Sequence, residues 1–413
     1  MKYSVSSTTP QRTQQRQPAR HVSRRGSMML WTVWVFLAML VVVAGLFNVM
    51  WLFCVRSEAH RQAESAVIVG GHAFLSDDLL RIQQQPFEND GRAARCRNAT
   101  VDYVCQCGDS TLRQIISPGD VELVESLAET SPAVPEQVRL TFGKEQPNDR
   151  LRMFFSGLTG VQHARIGVSA SARIEHSPKA FLPGGNATIP VLPFAIIDQA
   201  QSGASTLKSG GLWSQEIESG RGSDNLSWNP EQRSVENGPD GLPEITLTIS
   251  PGSSGNKSDS FVPLRFAAAS RVGTTSQTVN WMRHGVSAED LKSLGLSQLS
   301  FPSTISMLSL SSIECAEIGA LLQSQTGQSF IVCLSGDQFS AANSGNSSTT
   351  DNASSFVQLI RPVAARIMAS AVDAGGVVRV RLQPCVLITS TAVTSSSSQA
   401  SLNRYLYSVR LCE

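Results

Sequence analysis

The chain has 413 residues, with 34 basic and 33 acidic side chains, a net charge of +1, 6% aromatic residues and 31 glycines. That length holds one or two domains with a proper core. The absence of a basic stripe excludes nucleic acid as a partner. Few aromatics and abundant Ser and Gly favour β-structure, turns and surface loops over a dense enzyme-like α/β core.

Residues 1–25 carry Lys2, Arg12, Arg16, Arg20, Arg24 and Arg25 and no acid, a charge of +6, whereas residues 26–413 carry −5. They read as a disordered tail whose charge resists translocation, with Arg24 and Arg25 as the topology signal that keeps the N-terminus in the cytoplasm. Residues 26–55 hold no charged side chain, and only Ser27, Thr32 and Asn48 are clearly polar. A span needs about 20 apolar residues, whereas a cleaved leader has an apolar stretch of only about 7–15. Fifteen Leu, Phe and Val residues lie between Leu30 and Val55, so insertion is favoured by roughly 5–9 kcal/mol. Val42-Val43-Ala44 has the small-residue character of a cleavage site, but the apolar GLFNVMWLFCV follows it. The segment is therefore expected to stay as a transmembrane helix, with Trp31, Trp34 and Trp51 near its two ends. The bulk of the chain then lies on the far side of the bilayer. An amide such as Asn48 can bond across helices for about 0.6–2 kcal/mol. However, the apolar run is about 45 Å long at 1.5 Å per residue, so Asn48 is expected at the outer interface, wet and unpaired.

Residues 56–85 are expected to continue the helix. Val55, Ala59, Ala63, Ala66, Val67, Gly70, Ala73 and Phe74 share one helical face. Glu58, Arg61 and Glu64 alternate in sign on the other side. A seam of small residues lets a second helix approach closely, which makes Asn48, Ala59, Ala63, Ala66 and Gly70 helix-interaction candidates. The spacing leaves open whether the seam packs on the chain's own external part or on a partner. Gly70-Gly71 is a weak point for bending, and Pro86 is the expected end.

Beyond this, residues 86–200 read as an exported α+β region. Its pieces are a short helix over 120–128, a short apolar helix over 150–161 ending at a glycine, and a strand over 164–175 with Ile166, Val168, Ala170, Ala172 and Ile174 on one face. Residues 201–260, rich in Gly, Ser and Asn, read as loops or a linker holding a strand at 245–250. Residues 261–413 read as a β-rich C-terminal region. Helices are expected there at 276–285, at 287–295 with Ser287 as N-cap, and at 311–327 with Ser311 and Glu314 as a capping box. Strands are expected at SFIVCL, SFVQLI, 377–388 and 404–412, with a loop at 343–354. The fold class is α+β, with one N-terminal membrane helix extended by an amphipathic helix.

Cys96, Cys105, Cys107, Cys315, Cys333, Cys385 and Cys412 lie outside the span, where disulfides persist, so they are disulfide candidates. Seven is odd, so at least one is free or pairs between chains. Zinc spacing is absent around Cys96, Cys105 and Cys107. Gly-x-Ser-x-Gly, His-Glu-x-x-His and phosphate-loop patterns are absent too. His60, His72, His163, His176 and His284 sit in no recognisable nucleophile pattern. Asp240 and Glu244 in NGPDGLPE read as a turn rather than a calcium site. No catalytic, cofactor or metal residue is assigned, and the chain is expected not to be an enzyme.

The basic head with RRG at 24–26, the uninterrupted span, the late polar Asn48, and RSEAHRQAESAVIVGG at 56–71 together resemble the N-terminal region of TadG-like proteins, putative Flp pilus-assembly components of bacterial tight-adherence systems. The resemblance covers residues 24–80. Asn48 stands where that family typically has an aspartate, Arg56 and Glu58 stand at its arginine and glutamate, and its alanine run becomes AESAVIVGG. It implies a single-pass protein of the cytoplasmic (inner) membrane, with its bulk periplasmic or extracytoplasmic. Protein partners from a pilus-assembly or secretion complex and a non-enzymatic role follow from it. The metal-binding Asp-x-Ser-x-Ser loop of some relatives is absent; DNASS at 351–355 has Ala353 at the first serine. Trp31 stands where a pilin would carry its glutamate, so the chain is expected to be no pilin. The alternatives are a membrane-tethered hydrolase with an unrecognised site and a surface adhesin independent of pilus machinery.

Overall fold

The computed structural model describes residues 25–81, 91–107, 116–124, 134–143, 151–185, 187–198, 211–251, 261–267, 277–340, 355–394 and 403–412. The expected basic tail with Arg24, the stop at Pro86 and the 343–354 loop lie outside them. The described residues mix helix and sheet, as an α+β chain does. They divide into two compact units, one of residues up to 57 with 144–166 and one of 58–143 with 167–413.

In the smaller unit, helix α1 (Arg25–Phe74) supplies residues 25–57. The unit also contains an excursion in which Leu151–Arg152 pairs antiparallel with His163–Ala164. A single helical turn, Ser156–Thr159, joins the pair in place of the longer apolar helix expected over 150–161. Gly160 ends the turn at φ 73°, a left-handed conformation that suits glycine.

The larger unit begins with residues 58–74 of α1, which run through Gly70-Gly71 and end at Phe74, short of Pro86. Helix α2 (Arg92–Cys107) follows. Where a helix is expected over 120–128, the described residues up to Val124 form a turn of 3-10 helix, Pro118–Asp120, and strand β1 (Val121–Val124). Pro118 suits the first position of such a turn, and the β-branched Val121 and Val124 favour a strand after it. With β2 (Gln137–Gly143), β3 (Gly167–His176), β11 (Leu387–Ile388) and β12 (Leu406–Leu411), β1 forms a five-stranded sheet of order β1-β2-β3-β12-β11. Alternation puts Val168, Ala170, Ala172 and Ile174 on its buried face opposite Val138, Leu140 and Phe142. Arg139, Thr141, Ser169 and Arg173 face out.

A second sheet has seven strands. Its order is β5 (Ile245–Ile249), β10 (Val378–Pro384), β9 (Ser355–Val372), β8 (Ser329–Ser340), β4 (Val191–Ile197), β6 (Phe261–Pro263), and β7 (Ser303–Ser306) also pairs with β9. Only β8 and β4 run parallel within it. Helices α3 (Gln277–His284) and α5 (Ser312–Ser324) pack on its strands, with α4 (Ala288–Ser293) between them in sequence. The expected N-cap at Ser287 and the expected capping box of Ser311 and Glu314 both form, and Ser287 makes a capping box with Asp290 as well. Ser287 Oγ accepts the Asp290 N–H and Ser311 Oγ accepts the Glu314 N–H, each at 3.2 Å.

Of the stretch 201–260, read as loops or a linker, residues 211–251 are described; the expected strand is there as β5, and the rest of them is more ordered than a linker. Residues 211–251 build a π-turn at Ser214–Glu218, a hairpin of Leu226–Asn229 with Ser234–Asn237, and the sheet strand β5. The Gly/Ser-rich sequence is pinned by side chains: the Asp224 carboxylate accepts the Asp240 and Gly241 N–H groups at 2.9 and 2.8 Å. The boundaries at 200 and 260 do not separate domains either, because both sheets take strands from across the larger unit.

Candidate functional site: the apolar helix and its contacts

From Met28 to Phe53, α1 leaves most of its large apolar side chains exposed, among them Trp31, Phe36, Phe47 and Met50. This helix is long and apolar enough to cross a membrane. Asn48 departs from the expectation of a wet, unpaired amide. It is only 4% exposed, and its Oδ1 accepts the Phe155 N–H at 3.2 Å. Ala44, one turn earlier on the same face, is buried as well. Edge-to-face ring pairs flank the amide, Phe47 with Phe155 at 6.2 Å and Trp51 with Phe154 at 4.9 Å. Asn48 thus binds the excursion of its own unit.

In the larger unit, the small-residue seam is filled by the chain itself. Ala59, Ala63, Ala66, Val67 and Phe74 have no exposed surface. A Cβ added at Gly70 would lie 2.1 Å from Thr100 Oγ1 and 3.3 Å from Cys96 Sγ, both on α2; one at Gly71 would lie 2.9 Å from Val409 Cγ1 on β12. The Arg92 guanidinium at the start of α2 lies 5.1 Å over the Phe74 ring. Gly70 therefore meets the middle of α2 and Phe74 meets its start, so the two helices run antiparallel. Of the two alternatives left open for the seam, packing within the chain is the one realised. That corrects its use as a free surface for a partner. The opposite side of α1 stays polar and exposed, with Arg61 bonded to Glu58 at 2.9 Å and His60 3.4 Å from Glu64. The Arg61 hydrogen bond, with one from Gln62, holds the Glu58 carboxyl below the usual carboxylate range.

Just past α1, Asp77 fastens this layer to the seven-stranded sheet. Its Oδ2 lies 2.5 Å from Arg366 Nη1, and its Oδ1 accepts the Val386 N–H at 2.7 Å. The Arg366 guanidinium also lies 4.7 Å over the Trp228 ring. Nothing in the spacing of Asp77 announces this role, because its partners are about 300 residues away. Helix α2 was also missed as a packing partner. Its signal was Ala93, Cys96, Thr100 and Val104 at helical spacing, all of them buried.

No two of the eight cysteines are joined within the chain, so the disulfide candidates Cys96, Cys105, Cys107, Cys315, Cys333, Cys385 and Cys412 form no intrachain bridge in this structure. Cys96 on α2, Cys315 on α5, Cys333 on β8 and Cys385 between β10 and β11 are buried as small apolar side chains. Burial pushes the thiols of Cys96, Cys333 and Cys385 up to about 12. The Asp240–Glu244 stretch is a turn. Asp240 Oδ1 accepts the Leu242 N–H at 2.9 Å, and Glu244 Oε1 accepts the Leu226 and Asn225 N–H groups at 2.6 and 3.2 Å. Burial nonetheless raises the Glu244 carboxyl. His176 Nδ1 lies 3.2 Å from Ser177 Oγ, but that hydroxyl is buried and accepts the Asn403 N–H at 2.8 Å, which makes it a structural corner. A cavity of about 170 Å³ lies beside Arg81, Glu218, Arg404 and Tyr405. Arg81 there is bonded to Asp78 and Asp240 at 3.1 and 2.8 Å. Among the described residues, no three His, Cys, Asp or Glu side chains gather as metal ligands.

Compared with protein-family models, with curated proteins and with solved structures, the chain finds no match.

Proposed function

We propose that this chain is a non-enzymatic, single-pass component of a Flp pilus or tight-adherence assembly or secretion apparatus, with α1 as its permanent anchor and the larger unit as an interaction or structural module. The observation that carries the reading is the continuity of α1. One uninterrupted helix has a bare apolar half and a half whose small-residue face is buried in a folded unit. A cut after Ala44 would fall inside this helix, one turn before the buried, hydrogen-bonded Asn48. The +6 head before it supports a cytoplasmic N-terminus and an extracytoplasmic larger unit. The tight-adherence assignment rests on the resemblance over residues 24–80.

The seam being filled, a partner is expected on the exposed polar side of α1, around His60 and Glu64. A photo-crosslinking residue at His60 should capture pilus-machinery proteins in cells, and one at the buried Ala63 should not. Capture that persists unchanged in a strain without that machinery would refute the assignment. Proteolysis of spheroplasts should digest the larger unit, and its full protection would refute the topology.

A further inference from the structure

We infer that residues 153–161 lie in the headgroup and acyl-chain boundary of the bilayer leaflet nearest Asn48, with Phe154, Phe155, Leu158 and Val161 in contact with lipid. The inference rests on the reading of α1 as a membrane anchor. Within nine residues, these four apolar side chains are 68%, 39%, 47% and 50% exposed, a concentration that water disfavours and that marks an interaction surface. The occupant is lipid because the patch is continuous with the span. Phe154 packs edge-to-face with Trp51, Phe155 with Phe47, and the Phe155 N–H donates to Asn48 within the same compact unit.

Helix length sets the depth. The uncharged run from 26 to 55 is about 45 Å long at 1.5 Å per residue, against a hydrocarbon core about 30 Å thick. About twenty residues from Met28 to Phe47 fill that core, which leaves Asn48 and Trp51 at the boundary. Several N–H groups of the excursion are bonded internally, which suits a zone poor in water. Met153 N–H donates to Gln162 O, Leu158 N–H to Phe155 O and Gly160 N–H to Ser156 O, at 3.1, 3.2 and 2.9 Å. The return leg carries Gln162, His163 and Arg165, all exposed, which suits headgroups.

The full chain, reconstituted in phosphatidylcholine–phosphatidylglycerol liposomes with a trace of phosphatidylcholine carrying a diazirine near the glycerol end of its acyl chain, tests this. After irradiation, adducts are mapped by mass spectrometry. Adducts are expected on residues 28–47 and on 153–161, and those on 153–161 should fall about tenfold in the F154S/L158S variant, while labelling of the span holds. Labelled span with unlabelled 153–161, or labelling of 153–161 unchanged in the variant, would overturn the inference and leave the anchor standing. Adducts on neither segment would overturn the anchor reading itself, and this inference with it.

Discussion

Gly70→Ala is the most direct test of the claim that the seam of α1 is used inside the chain. On an open helix face, replacing glycine by alanine stabilises by roughly 0.8–1 kcal/mol through backbone entropy. Here the new methyl would stand 2.1 Å from Thr100 Oγ1, where real contacts stay above about 3 Å. Thr100 cannot simply turn away, because its hydroxyl donates to Cys96 O at 2.8 Å and its side chain is fully buried. Forcing α1 and α2 apart costs about 1–3 kcal/mol of overpacking. The net effect of the single change is a loss of up to about 2 kcal/mol. In a Thr100→Ala background the worst contact is gone, leaving Cys96 Sγ at 3.3 Å, and the same change should be close to neutral, a coupling of about 1–2 kcal/mol. Urea unfolding of the four proteins in detergent micelles, followed by circular dichroism, measures it. If Gly70→Ala stabilises equally in both backgrounds, the seam is open and the reasoning fails.

Three other outcomes are expected. Asp77→Ala leaves Arg366 buried without its carboxylate, so unfolding free energy should drop by about 3–5 kcal/mol; a drop below about 1 kcal/mol would mean that the pair is solvated. Glu244 has a folded pKa raised above its ordinary 4.5, so its contribution is fully present below that value and is lost as pH rises through the folded one. The stability difference between wild type and Glu244→Gln should therefore shift toward the variant between acid and neutral pH, and a pH-independent difference in denaturation midpoints would contradict it. In the native protein, maleimide should label the exposed Cys107 rapidly, and the buried thiols of Cys96, Cys333 and Cys385 only after unfolding. Intact-mass kinetics would expose fast labelling of all four as evidence against the packing described.

Local signals were read directly from the residues. The thirty uncharged positions from 26 to 55 specify a helix of spanning length by composition alone. Strand β3 followed from alternation, and α3, α4 and α5 followed from caps and closing glycines at Gly285, Gly295 and Gly327, each at positive φ. These features act within a few residues of one another, so a linear reading captures them. The Gly/Ser-rich stretch at 211–251 misled, because its order comes from Asp224, Glu244 and a strand place beside β10 rather than from its own propensity.

The sequence by itself determined that an apolar helix of spanning length lies at residues 26–55, that its continuation carries a face of small side chains, and that sheets follow. Only the tertiary structure decided what that face touches, that Asn48 is bonded to Phe155, that Asp77 reaches Arg366, and that no two cysteines meet within the chain. Periodicity specifies which side of an element is apolar. It does not specify which surface covers that side, because the match depends on side chains brought together from positions up to about 300 residues apart.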